Sequence, residues 1–125
     1  MRAIRGAVQV DRDDPELVLG ATRQLLRELV EANSLVPDDL VSIIFTATPD
    51  LRSGFPAKAA RELGLNDVPL LCAQELDVDG GLPRTVRVLL TTDAPIAREH
   101  VRHVYLGGAR VLRPDLADDR LAATQ

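Results

Sequence analysis

The chain has 125 residues, 46% of them hydrophobic and 27% charged, which fits one globular domain and excludes a disordered composition. A formal net charge of −4, with two Phe, one Tyr and no Trp, provides neither the basic stripe nor the stacking platform of a nucleic-acid surface, so no nucleic-acid partner is expected. The single cysteine and the two histidines supply no internal disulfide and no zinc constellation, so packing alone must hold the fold and no metal is expected.

No apolar run approaches the roughly 18 residues of a membrane span. The opening MRAIRGAVQV lacks the apolar stretch of a secretory signal, so a cytoplasmic protein with no membrane partner is expected. Residues 2–10 alternate as a strand does, with Ile4, Val8 and Val10 on one face and Arg5, Ala7 and Gln9 on the other. Asp14, Pro15 and Glu16 read as N-cap, first helical position and an acid at the positive helix end. A long helix follows, with Leu17, Val18, Ala21, Leu25, Leu29 and Ala32 as its apolar stripe, closed by Asn33 and Ser34.

Pro37-Asp38-Asp39 marks a turn before the β-branched run Val41 to Ala47, which suits a buried strand. A loop through Gly54 leads to a short helix over 56–64, rich in alanine and stopped by Gly64. Strands are expected over 68–76 and 84–92, joined at hairpin spacing by Asp79-Gly80-Gly81. A short helical piece over 95–101 and a last strand over 103–112 complete a single domain of residues 1–113, and Pro114 to Gln125 is expected to form a mobile tail. This order predicts an α+β (mixed α/β) fold, a five-stranded mixed sheet with one long and two short helices. The first crossover suggests a parallel pair and the Asp-Gly-Gly connection an antiparallel one. So few helices cover one face, which leaves the other to be buried partly by neighbouring subunits.

Arg87 stands in the middle of an apolar strand, on the face shared by Thr85, Leu89 and Thr91. A guanidinium there is costly unless paired, and an edge-strand or interface ion pair is its plainest explanation. Arg5 raises the same question. Two such arginines on small-residue faces point to an anion site, because the guanidinium fork matches carboxylates. Glu75 and Asp77 share one strand face and Cys72 takes the other. Glu75 reads as a counterion for a strand arginine, and Cys72 as a core filler with no nearby histidine to activate it. His100 and His103 beside Glu99 are too few to hold a metal and read as exposed polar residues. Tyr105 and Arg113 share a parity on either side of Gly107-Gly108.

The segments Arg5-Gly6-Ala7, Thr46 to Leu51, Phe55 to Glu62, Cys72 to Val78, Arg87-Val88, Arg102 to Leu106 and Val111 to Leu116, in this order and spacing, closely resemble the AroH class of chorismate mutases. The resemblance covers nearly the whole chain. It implies a homotrimer built as a pseudo-α/β barrel with an active site at each subunit interface. It further implies isomerisation of chorismate to prephenate by an intramolecular Claisen rearrangement, on the path to phenylalanine and tyrosine, with no cofactor. By the same resemblance Arg87 meets the ether oxygen, Arg5 and Tyr105 hold the enolpyruvyl carboxylate, and Glu75 with Cys72 and Ala73 meets the ring hydroxyl. Phe55, Ala57, Lys58 and Arg61 come from the adjacent subunit, and Arg113 closes the mouth. Cys72 and Glu75 are three apart, so both side chains face one ligand only if the strand bulges or ends between them.

That chemistry agrees with the residues. A pericyclic reaction needs neither nucleophile nor proton transfer, but it needs a flexible dianion held in a reactive pose and charge stabilised at the breaking ether bond. Two other readings use the same residues. A small trimeric imine or enamine deaminase also holds a carboxylate with an interface arginine, and a non-catalytic module would bind an aromatic-pathway anion without turnover.

Overall fold

A computed structural model describes residues 1–112; Arg113 and the tail 114–125 lie outside the described residues. The elements in chain order are β1 (Arg2–Gln9), α1 (Pro15–Ala32), β2 (Leu40–Ala47), α2 (Ala57–Glu62), β3 (Leu70–Gln74), β4 (Thr85–Thr92) and β5 (Val104–Leu106). Three short 3-10 turns, Pro37–Asp39, Arg98–His100 and Gly107–Val111, lie between and after them. The strands form one mixed five-stranded sheet in the order β3-β2-β4-β1-β5. β4 is its centre and runs antiparallel to both β1 and β2, while β3 pairs parallel to β2 and β5 parallel to β1.

This arrangement confirms the mixed sheet and corrects its connections. β1 and β2 point the same way, as the helical crossover requires, but β4 is inserted between them. The Asp79-Gly80-Gly81 segment does turn, with Gly81 N–H donating to Val78 O at 2.9 Å, yet it joins β3 and β4 across the intervening β2 and makes no hairpin. The last strand is also shorter than expected. Gly107, at φ +59°, takes the chain out of the extended region after Leu106, and residues 107–111 coil into a 3-10 turn. The expected helix over 95–101 shrinks to the 3-10 turn Arg98–His100, so there are two α-helices among the described residues.

The helices lie on one face of the sheet, and alternation divides every strand accordingly. Ile4 and Val8 of β1, Ile43 and Phe45 of β2, and Val86, Val88 and Leu90 of β4 join a core with Val18, Leu25, Leu26 and Leu29 of α1. Each wholly buried apolar side chain contributes about 1.5–3 kcal/mol. The stripe of α1 is rotated from the expected one: Leu19 and Leu26 are buried, whereas Ala32 is exposed. β2 is likewise not buried on both faces, since Ile44 stands 37% exposed on the side away from the helices. Gly6 sits where α1 presses closest on β1. A Cβ there would lie 3.0 Å from Leu29 Cδ1 and 3.1 Å from Leu25 Cδ1, tighter than ordinary packing.

The ends of α1 are anchored by side chains. Asp14 caps the start by accepting from Leu17 N–H at 3.1 Å. At the other end the buried Asn33 does two jobs. Its Nδ2 donates to Leu29 O at 2.9 Å, closing the helix, and also to Arg102 O at 2.9 Å, while its Oδ1 accepts from Arg102 N–H at 2.8 Å. One carboxamide thus pairs with both polar groups of Arg102 as a neighbouring strand would, and pins the segment that leads into β5. Replacing it strands buried polar groups, so Asn33→Ala should lower unfolding free energy by about 2–3 kcal/mol in urea titrations. A loss under about 0.5 kcal/mol, the range of surface substitutions, would contradict this clamp.

Candidate active site

Strand register alone gathers the central residues. Reading across the sheet on the face away from the helices, Ala73 stands beside Thr46, Thr46 beside Arg87, Arg87 beside Ala7, and Ala7 beside Tyr105. Arg5 lies one step along β1, opposite Leu89. Ala7 leaves room between the guanidinium and the phenol, and a cavity of about 430 Å³ opens over this row, with Arg5, Glu75, Arg87 and Tyr105 all in its wall. Ile44, Leu89 and Leu112 supply the apolar part of the lining. Tyr105 is 8% exposed and packs with Ala7 and Ala109, which fixes the ring at the edge of the cavity.

Glu75 follows the end of β3 and is tied back to the sheet by its N–H, which donates to Ala47 O at 2.9 Å. Its Oε1 accepts from the Thr46 hydroxyl at 2.5 Å and faces Arg87 Nε at 3.5 Å. Arg87 therefore is paired, as its position demands, though on the open face of the central strand and not at a sheet edge. The pair is partly solvated, with Arg87 45% exposed, so its contribution to stability is small, about 0–1 kcal/mol. Its value lies in orientation. The contact runs through Nε, and no hydrogen bond among the described residues engages the terminal amino groups of Arg87 or Oε2 of Glu75, so these groups are open to a ligand. Arg5 makes no ion pair among the described residues. Two guanidiniums against one carboxylate make the cavity cationic inside a chain of net charge −4.

The remaining candidates fall elsewhere in one copy of the chain. Phe55, Cys72 and Ala73 line a second cavity of about 450 Å³ beside the edge strand β3. Phe55 is 71% exposed, and Lys58 and Arg61 are exposed on α2, whereas Ala57 is buried against the core. Cys72 pairs with Phe45 and packs toward the helices, so alternation separates its side chain from Glu75. Arg113 lies outside the described residues. The loop that carries Phe55 is held by Asp13, whose carboxylate accepts from the N–H groups of Arg52 at 3.0 Å and Ser53 at 3.1 Å. The Ser53 hydroxyl is buried without a partner at full hydrogen-bonding geometry, yet its nearness, followed by the Arg52 N–H, does most to hold the Asp13 carboxyl below the ordinary aspartate range.

Thr46 and Leu112 were not singled out by sequence reasoning. The parity of the second strand places Thr46 on the arginine face only once the register against β4 is known, and a lone threonine in a β-branched run carries no signal of its own.

A cationic cavity built on the bare face of an α+β sheet, with a carboxylate and a phenol in fixed positions, defines a small domain equipped to hold an organic anion. The comparisons make this specific. The family model described as chorismate mutase type I matches residues 1–116, and the chain belongs to that family. It is 48% identical to chorismate mutase AroH of Bacillus subtilis over 118 residues, 94% of this chain and 93% of the relative. It is 50% identical to chorismate mutase AroH of Thermus thermophilus over 117 residues, 93% of this chain and 96% of the relative. A solved chorismate mutase from Clostridium thermocellum superposes with a TM-score of 0.88 at 41% identity, covering 89% of this chain and 99% of that one.

The Asp13 tether gives a test with a definite sign. Its folded-state pKa is depressed, so the tether is complete above the ordinary value of 3.8 and is lost as pH falls through the lower folded value. The amide resonances of Arg52 and Ser53 should titrate together in NMR spectra with a midpoint below 3.8. A midpoint at or above that value, or independent movement of the two amides, would contradict it.

Proposed function

We propose that the chain isomerises chorismate to prephenate as a homotrimer, each active site joining the arginine cavity of one copy to the Phe55 side of the next. Membership of the chorismate mutase family carries the reaction, and with it a place in phenylalanine and tyrosine synthesis; neither the deaminase nor the passive binder finds support. The observation that carries the shared site is the split just described. One copy holds Arg5, Glu75, Arg87 and Tyr105 together but leaves Phe55 at a separate opening and Lys58 and Arg61 exposed on α2, outside the arginine cavity. Ile44 and Leu89, on the open face, and Leu71, on edge strand β3, are 37%, 39% and 60% exposed, apolar surface that a neighbouring copy would cover. Three copies related by rotation close such head-to-tail contacts into a ring.

In this site the roles are those the resemblance implies, and charge and position support them. Arg5 and Tyr105 bind the enolpyruvyl carboxylate, so the entropic cost of ordering the flexible arm is met on binding, before the chemical step. As the ether C–O bond breaks and the new C–C bond forms, negative charge grows on the ether oxygen. The terminal amino groups of Arg87, held by the Nε contact with Glu75, stabilise it. The free Oε2 of Glu75 accepts from the ring hydroxyl. Cys72 and Ala73 contribute through the main chain, because β3 is an edge strand whose outer N–H and C=O groups are open whichever way its side chains point. Lys58 and Arg61 of the adjacent copy add positive charge for the second carboxylate, with Phe55 and the backbone at Ala57 as wall. Arg113 follows Leu112, itself in the cavity wall, and is assigned to the mouth by the resemblance alone. No proton is transferred, so the site needs neither nucleophile nor base. Among the described residues no helix is long and apolar enough to cross a membrane; action in the cytoplasm is part of the proposal.

Loss of chorismate absorbance in the presence of the purified protein, and a solution mass of three chains, test the reading together. Arg87→Ala should lower kcat by at least about 10²-fold, the scale for losing one oxyanion donor, and Arg87→Lys should recover little because an ammonium cannot reach both Glu75 and the ether oxygen. A decrease below about tenfold for either variant would mean that Arg87 does not meet the charge of the transition state.

A further inference from the structure

We infer that His103 is a positioning residue for Arg5, acting through the Arg5 main chain. The Arg5 N–H donates to His103 Nδ1 at 2.9 Å. The parallel pairing of β5 with β1 begins one residue later, with Gly6 beside Val104. On this side of β1 the Arg5 N–H lies at the exposed end of the ladder, where β5 does not reach back far enough to offer a carbonyl. The imidazole of the residue just before β5 takes that place and extends the ladder by one rung. For Nδ1 to accept, the ring carries its proton on Nε2. β5 is a three-residue edge strand, so one additional rung is a large share of what fixes it. Asn33 pins Arg102 immediately upstream, and Gly107 ends the strand downstream. His103 is the link between that anchor and the row that places Arg5 and Tyr105 in the cavity wall.

The inference rests on the proposed mutase site and adds a kinetic signature. Arg5 grips a carboxylate that carries the same charge in substrate and transition state, so a slackened Arg5 weakens both equally and raises KM at nearly constant kcat. Loss of folded enzyme instead lowers apparent kcat at unchanged KM. Asparagine carries Oδ1 on Cγ where histidine carries Nδ1, so His103→Asn keeps an acceptor at the same reach, whereas His103→Leu keeps bulk and removes it.

The experiment compares the wild type, His103→Leu, His103→Asn, Arg5→Ala and the His103→Leu/Arg5→Ala double variant with chorismate, and follows the Arg5 amide resonance by NMR. His103→Leu should raise KM about five- to tenfold, the worth of one hydrogen bond, with kcat within about twofold. His103→Asn should restore KM to within about twofold of the wild type, and the leucine change should add nothing further once Arg5 is alanine. The inference is overturned if His103→Leu lowers kcat alone, if His103→Asn is as impaired as His103→Leu, or if the two changes add fully in the double variant. An Arg5 amide unmoved in His103→Leu also overturns it. That resonance reads the bond without turnover, so a wild type that leaves chorismate unchanged would sink the mutase reading separately.

Discussion

A guanidinium in the central strand of a sheet is tolerated here because the helices cover only one face. Arg87 occupies β4, flanked on both sides by antiparallel neighbours, and would face a prohibitive desolvation cost if α1 and α2 were divided between the two faces. With both helices on the side of Val86, Val88 and Leu90, alternation delivers Arg87 to open space, where Glu75 orients it. Everything assigned to the site descends from that asymmetry. The same bare face holds the small Ala7, the buried Tyr105 ring, and the partly exposed apolar Ile44 and Leu89.

What was legible in the sequence was local. The N-cap at Asp14, the stop at Asn33, the alternation in β1 and β4 and the alanine-rich α2 are all set by neighbours within a few residues, and each stands where expected. Strand adjacency was not legible. The insertion of β4 between β1 and β2 depends on which apolar faces pack together, and the Asp-Gly-Gly turn carries the same local chemistry whether its strands pair or straddle a third. The end of β5 at Gly107 was missed because Val104 to Leu112 still reads as a plausible β run until the positive φ interrupts it.

The site shows the same division. Parity placed Arg87, Arg5 and Glu75 on their faces correctly and separated Cys72 from Glu75. It had no means of bringing Thr46 beside Arg87, or of supplying an imidazole to the Arg5 N–H, since both follow from register between segments distant in the chain. His103, read from sequence as an exposed polar residue, is engaged with β1. The charge pattern also acquires meaning only in three dimensions. An acidic chain concentrates two guanidiniums against one carboxylate in a single cavity, so local potential and net charge have opposite signs.

The proposed joining of two halves across a subunit boundary is most directly tested by mixing Arg87→Ala copies with Arg61→Ala copies, each expected to be nearly inactive alone, and reassembling them from denaturant. Random ring trimers contain about a quarter of their boundaries with an intact Arg87 from one copy facing an intact Arg61 from the other, so the mixture should recover up to about a quarter of wild-type turnover. A mixture no more active than the average of its two components would show that each site is built within one chain, and would contradict the account.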